Sequence, residues 1–188
     1  IKIMRIISGK LKGKSIVYIK SKITRPLKDS VKENIFNIIS HSNLLNINLK
    51  KSNILDLYSG VGSFGIECLS RGADKVIFVE KDKNAANTIN TNLRTLSIKN
   101  KAKVFNESVT DFLNRKHFIN YNIFFFDPPF LDNSYSAELE LIKKRKIYKN
   151  DHIIIIHREH KSSDDFKKII NPIIIKKYGR SKIIFGKF

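Results

Sequence analysis

Short, largely apolar runs alternate along this chain with stretches of helical periodicity. The runs Asn53–Leu57, Lys75–Glu80, Ile123–Phe126 and His152–Ile156 have no polar face, so as strands they need cover on both sides. Between them fall helical patterns at Ser63–Leu69, about 84–98, Val109–Asn114 and about 136–146, with a further short strand at Lys103–Phe105. That alternation predicts an α/β architecture with a mainly parallel sheet between helical layers. The two ends differ. Residues 4–8 and 14–19 read as strands flanking Gly9-Lys10-Leu11-Lys12-Gly13, a β-hairpin. A helix follows Arg25-Pro26, with Ser30 and Glu33 as an expected capping box and Val31, Ile35, Phe36, Ile38 and Ile39 as its apolar face. Ile173–Tyr178 and Lys182–Phe188, joined by Gly179-Arg180-Ser181, predict a terminal antiparallel hairpin. The division expected is an N-terminal hairpin and helix over 1–40 and a main domain over 41–188.

Charge narrows the partner. The chain has 188 residues, with 36 Lys and Arg against 17 Asp and Glu, a net charge of +19. Residues 2–32 carry ten of the cations and one acid, Asp29. A field of that size favours a polyanion, since each neutralised phosphate releases counterions. The single cysteine, Cys68, excludes an internal disulfide and Cys-based zinc motifs, and the five histidines (41, 117, 152, 157, 160) show no ligand spacing. No metal and no membrane span are expected. The first residues lack the apolar segment of a secretory signal, Met4 is a candidate initiator, and a reducing cytoplasmic setting is the default. The polar tetrapeptide His157-Arg158-Glu159-His160 reads as a solvated turn.

Two motifs carry chemistry. The loop Asp56-Leu57-Tyr58-Ser59-Gly60-Val61-Gly62-Ser63-Phe64-Gly65 leads from a strand into a helix, where glycines let a ligand approach backbone N–H groups. Glu80 ends the next strand, where a carboxylate binds ribose hydroxyls. A dinucleotide site shares both features, but Asp56 four residues before Gly60 would repel a pyrophosphate. It suits a ligand bearing an ammonium and a sulfonium, S-adenosylmethionine. The second motif, Asp127-Pro128-Pro129-Phe130, follows the strand Ile123–Phe126. Its prolines fix the backbone, and the Asp127 carboxylate and Pro128 carbonyl then form two acceptors for the two hydrogens of an exocyclic –NH2. Phe130 is placed to stack on the base. Cys68, among Ile66 and Leu69 on a helix, reads as a buried thiol rather than a nucleophile for carbon methylation.

These motifs, in this order, resemble the bacterial 16S rRNA guanine-N2 methyltransferase family of the RsmD type over nearly the whole chain. Arg5-Ile6-Ile7-Ser8-Gly9 with Lys12-Gly13 is similar to that family's opening strand and turn. Arg25-Pro26, Asp29, Val31, Glu33 and Phe36-Asn37 resemble its second signature, and Asp56–Gly65, Glu80 with Asp82, and Asp127–Phe130 its cofactor and catalytic motifs. The resemblance implies a class I, Rossmann-like methyltransferase fold with a seven-stranded mixed sheet. It also implies one guanine of 16S rRNA as target, presented on a partly assembled small-subunit particle; separately, the chain is expected to act as a monomer. It implies that Glu80 holds the ribose and that Ser108-Val109 faces the adenine, with Ser108 standing where the family usually has Asp or Asn. Tyr58, Gly60, Gly62, Lys81 and Asp127 complete the expected cofactor set, and Arg5, Lys10, Lys12 and Arg25 are the expected RNA contacts. Two other functions stay open at this point: an adenine-N6 methyltransferase on DNA or RNA, and a non-catalytic RNA-binding assembly factor. A protein-glutamine methyltransferase fits less well, because its motif resembles Asn-Pro-Pro-Tyr.

Overall fold

In the computed structural model, which describes residues 2–18, 27–162 and 168–188, the apolar runs form the centre of one seven-stranded sheet. Strands β3 (Asn53–Leu57), β4 (Lys75–Val79), β5 (Ala102–Phe105), β6 (Tyr121–Phe126) and β7 (Tyr148–Glu159) run parallel. The last two strands, β8 (Asn171–Tyr178) and β9 (Ser181–Lys187), form the antiparallel hairpin. The order is β5-β4-β3-β6-β7-β9-β8, with β9 inserted antiparallel beside β7. The architecture is therefore the mixed sheet expected from the sequence. Among the described residues no helix is long and apolar enough to cross a membrane.

Alternation along the central strands sends side chains to two cores. Ile54, Phe78 and Phe125 face helices α1 (Asp29–His41), α2 (Ser63–Ser70) and α3 (Lys83–Thr95). Leu55, Leu57, Val79, Phe124 and Phe126 face α4 (Val109–Asn114) and α5 (Tyr135–Arg145). On the first face a run of stacked rings joins Phe36 of α1 to Phe64 of α2 at 5.2 Å and Phe64 to Phe125 of β6 at 3.9 Å.

The N-terminal hairpin pairs β1 (Lys2–Arg5) with β2 (Ser15–Tyr18), so its first strand starts and ends earlier than residues 4–8. It lies against α2 and α3, and its Ile6 and Ile16 belong to the same core as Ile54 and Phe78. The buried Glu67 carboxylate of α2 accepts the Ile7 and Ser8 N–H groups at 2.9 Å each and the Arg71 Nε–H at 2.9 Å. Asn92 of α3 brackets Val17, accepting its N–H at 2.8 Å and donating to its carbonyl at 3.1 Å. Gly9, at φ +83°, passes so close to α2 that a Cβ would lie 2.0 Å from the Ser70 carbonyl oxygen.

Three local expectations are corrected. Helix α1 is preceded by Lys28 with no side-chain cap, and Ser30 lies inside the helix, its carbonyl accepting from Asn34. The first turn is instead held by Asp29 and Lys32, paired at 3.4 Å. Strand β6 begins two residues early at Tyr121, and β7 is twelve residues long, because β6 pairs with it from Tyr148 and β9 pairs with it as far as Glu159. Arg25 and Pro26 lie outside the described residues.

Glu67 is the anchor of the hairpin, and its removal strands two N–H groups and a guanidinium. Glu67→Ala should lower unfolding free energy by about 3 kcal/mol, read by urea denaturation. A change below about 0.5 kcal/mol would show that the hairpin is held by its apolar contacts alone.

Candidate active site

The parallel pairing of β3 with β6 sets Leu57 opposite Phe126, so the glycine loop and the Asp127 loop leave the sheet side by side. The Asp127 N–H donates to the Leu57 carbonyl at 3.4 Å. Strand carboxyl ends line the ligand crevice of such sheets, and β4 adds Glu80 at the same edge.

The glycine loop is strapped by its own polar atoms. Ser59 Oγ donates to the Asp56 carbonyl at 2.6 Å and accepts the Val79 N–H at 3.0 Å. Gly62 takes φ +82° as it enters α2, and a Cβ there would press on Ile89 and Phe78 at 3.2 Å. Glu80 is buried, and its Oε2 and Oε1 accept the Gly60 and Asp82 N–H groups at 2.8 Å each. Each oxygen keeps a second lone pair for a ligand hydroxyl. Burial pushes the Glu80 carboxyl above its ordinary range. Asp82 caps α3 by accepting the Ala85 N–H at 2.7 Å, and Asn106 holds the Glu80 and Lys81 carbonyls. The Lys81 side chain is exposed.

Asp56 is 1% exposed. Its Oδ2 accepts the Gly65 N–H at 3.0 Å, tying strand to helix, while Oδ1 is buried with no hydrogen-bond partner among the described residues. Desolvation pushes its carboxyl well above the usual range, and the charges of Asp127 and Glu80 add to the push. The three carboxyls therefore sense one another across the loop. A concentration of negative potential fits a cationic ligand and opposes a pyrophosphate. The residues present fit S-adenosylmethionine on that ground, together with the free lone pairs of Glu80.

Tyr58, at φ +58°, donates its hydroxyl to Glu138 Oε2 of α5 at 2.7 Å. Thr110 of α4 reaches the other Glu138 oxygen at 3.0 Å. Burial and this carboxylate push the Tyr58 hydroxyl pKa up. Ser108 caps α4, accepting the Asp111 N–H at 3.1 Å and donating to Asp111 Oδ2 at 2.6 Å, and Val109 behind it is buried.

At the second motif, Pro128 is buried, Pro129 exposed and Phe130 half-buried. Here the structure corrects the expected solvated turn at 157–160. His157 and Arg158 are buried residues of β7, and both grip the Asp127 loop. His157 Nδ1 lies 2.7 Å from Asp127 Oδ1, and its Nε2 lies 2.9 Å from Ser181 Oγ of β9. Arg158 donates to the Pro129 carbonyl at 3.2 Å and the Phe130 carbonyl at 3.0 Å, with its guanidinium over the Tyr135 ring at 4.6 Å. Phe130 sets its ring edge-on to His157 at 5.6 Å.

The buried Lys32 of α1 was not singled out in the sequence either. It reaches Ser63 Oγ, the first residue after the glycine turn, at 2.9 Å. Arg5, Lys10 and Lys12 are exposed on the hairpin. Cys68 is buried, and its thiol is pushed well up by desolvation. Among the described residues no three His, Cys, Asp or Glu side chains cluster as a metal site.

A protein family described as "Conserved hypothetical protein 95" matches residues 4–187. The ribosomal RNA small subunit methyltransferase D of Haemophilus influenzae is 37% identical over 161 residues, 83% of this chain and 79% of that protein. The chain belongs to this RsmD-type family. Its namesake from Buchnera aphidicola subsp. Baizongia pistaciae is 34% identical and covers 96% of this chain and 88% of its own. The crystal structure of the Haemophilus influenzae methylase candidate HI0767 superposes with a TM-score of 0.80 at 28% identity, covering 99% and 98% of the two chains. The fold is that of the class I methyltransferases, with the small N-terminal hairpin added.

The buried charge of Asp56 sets a trade between stability and binding. Its carboxyl titrates above the unfolded value, so the folded state is penalised at pH values above that raised pKa and relieved as pH falls through it. Asp56→Asn keeps an acceptor for Gly65 and removes the charge. It should melt higher than the parent at pH 8, with the gap closing as pH falls, and bind S-adenosylmethionine less tightly. Paired calorimetric scans and titrations check this. Equal melting at pH 8 would mean that the carboxyl carries no burial penalty.

Proposed function

We propose that this chain transfers the methyl group of S-adenosylmethionine to the exocyclic N2 amine of one guanine in small-subunit ribosomal RNA, presented by the small-subunit particle or an assembly intermediate. The reaction class is rRNA methylation and the cofactor is S-adenosylmethionine. The observation that carries the finer reading is the Asp127 loop. One carboxylate oxygen is fixed, the other remains, and no donor among the described residues bonds the Pro128 carbonyl. Two acceptors beside the cofactor loop match the two N–H donors of an exocyclic amine.

The bound cofactor supplies an electrophilic methyl on a sulfonium. Glu80 would hold its ribose, Ser108 and Val109 its adenine, and Asp56 with the Gly60 and Gly62 backbone its charged end, with Tyr58 and Lys81 at the rim. Asp127 and Pro128 hold the amine hydrogens so that the nitrogen lone pair points at the methyl carbon. The amine so held would take the methyl that the bound cofactor supplies and then release a proton to water. Alignment can supply about 7–11 kcal/mol of the barrier, and Asp127 stabilises the charge that develops on nitrogen. Phe130 stacks on the base. Pro129 keeps the turn rigid.

Residues 1–40 act as the RNA-binding extension, with Arg5, Lys10, Lys12 and Arg25 on phosphates, where contacts position the RNA without reading sequence. Because the hairpin rests on α2, phosphate contacts there set the register of the RNA against the glycine loop.

The test is transfer of a labelled methyl to small-subunit particles, followed by digestion to nucleosides. Label should appear in N2-methylguanosine, and Asp127→Ala should lose at least about 100-fold in rate with cofactor affinity within a few-fold. Label in N6-methyladenosine would replace guanine by adenine as the target, and near-normal turnover of the variant would remove Asp127 from the chemistry. In the same assay, Arg5→Ala/Lys10→Ala/Lys12→Ala should bind particles more weakly and lower the salt slope by about 2–3. An unchanged slope would put the phosphate contacts elsewhere.

A further inference from the structure

We infer that His157 is a positioning residue for the amine acceptor: it holds Asp127 Oδ1 so that Oδ2 is the oxygen offered to the substrate amine. The inference rests on the reading of Asp127 as that acceptor.

The terminal torsion of an aspartate is soft and nearly two-fold, so an unpinned carboxylate exchanges its oxygens and swings its plane. Here one oxygen is pinned. His157 is buried, and both its ring nitrogens are engaged, at 2.7 Å with Asp127 Oδ1 and 2.9 Å with Ser181 Oγ. An ionised carboxylate only accepts, so the proton between them sits on Nδ1. In the neutral ring Nε2 is then the acceptor, and Ser181 donates its hydroxyl to it. Three elements thus converge on one side chain: the loop after β6, the end of β7 and the start of β9.

The neighbouring arginine separates this role from mere folding of the loop. Successive strand residues face opposite sides of a sheet, and Arg158 reaches the far end of the same loop, at the Pro129 and Phe130 carbonyls. The loop backbone is therefore held without His157. What His157 adds is the direction of one carboxylate, and with it the geometry of attack. The Phe130 ring, edge-on to His157 at 5.6 Å, is fixed by the same imidazole, so acceptor and stacking platform move together. His157 takes no proton from the substrate in this account.

The experiment uses the full chain and small-subunit particles. His157→Leu keeps bulk and removes the donor, and His157→Asn restores an N–H near the position of Nδ1. His157→Leu should slow single-turnover methyl transfer by about 10–100-fold, with the Kd for S-adenosylmethionine and the half-saturating particle concentration within about threefold. His157→Asn should recover most of that rate. Independently of turnover, long-range proton–nitrogen NMR of the imidazoles should show His157 as the Nδ1–H tautomer in the parent. The Asp127→Ala variant should lose that signature. Parent-like turnover of His157→Leu, or an Nε2–H tautomer in the parent, would overturn the inference. If the parent places no label on guanine N2, the functional reading fails, while the NMR comparison still decides whether His157 pins Asp127.

Discussion

Strands β3 and β6 lie side by side in parallel with Leu57 opposite Phe126, and the two loops to which we assign the chemistry begin at the next residue of each. A crossover carries the chain from β3 through β4 and β5 and back to β6, so residues 58 and 127, far apart in sequence, leave the sheet at one level. Register in a parallel sheet buried on both faces is strongly specified, because a one-residue slip would exchange the two cores. Phe124 and Phe126 would then face α2 and Phe125 would face α5. The site inherits its precision from that packing.

Polar groups buried near the sheet edge are the cost of this arrangement, and nearly all are matched. Glu67 takes two backbone N–H groups and Arg71, Glu138 takes Tyr58 and Thr110, and Arg158 caps two carbonyls. Unmatched, each would cost about 1–3 kcal/mol or more. Asp56 Oδ1 stands apart as a buried oxygen with no partner among the described residues. Such strain at the mouth of a ligand crevice is expected where a cationic group is to be received. Glu67 binds the N-terminal hairpin to α2, and His157, between Ser181 and Asp127, links the terminal hairpin to the Asp127 loop.

Much of this was legible in the sequence. Runs such as Phe124-Phe125-Phe126 and Ile153-Ile154-Ile155-Ile156 have no polar face and admit only a doubly covered sheet. Glycine spacing after Asp56 and the rigid Asp127-Pro128-Pro129-Phe130 announce local backbone shapes that few other sequences share. His157 and Arg158 were not legible, because a His-Arg-Glu-His run is polar and local reading makes it a turn. Its first three residues are strand because β9 pairs with them, His157 opposite Ile183, Arg158 opposite Lys182 and Glu159 opposite Ser181, and His160 opens the turn. Glu67, Asn92 and Lys32 sit among ordinary helical residues, and the contacts by which they tie the fold together, to Ile7, Ser8, Val17 and Ser63, span 31 to 75 positions. The expected cap at Ser30 failed for a related reason. Helix α1 starts at Asp29, two residues before the position that a Ser30 cap would give, and Lys32 on its first turn is anchored on Ser63 far along the chain.

The central claim is that two loops brought level by β3 and β6 methylate one guanine amine of the small-subunit RNA. Mass analysis of nucleosides from small-subunit RNA, taken from cells with and without this chain, tests it most directly. The account predicts loss of a single N2-methylguanosine, restored when the chain is supplied again. Unchanged N2-methylguanosine, or loss of a methylated adenosine in its place, would contradict it.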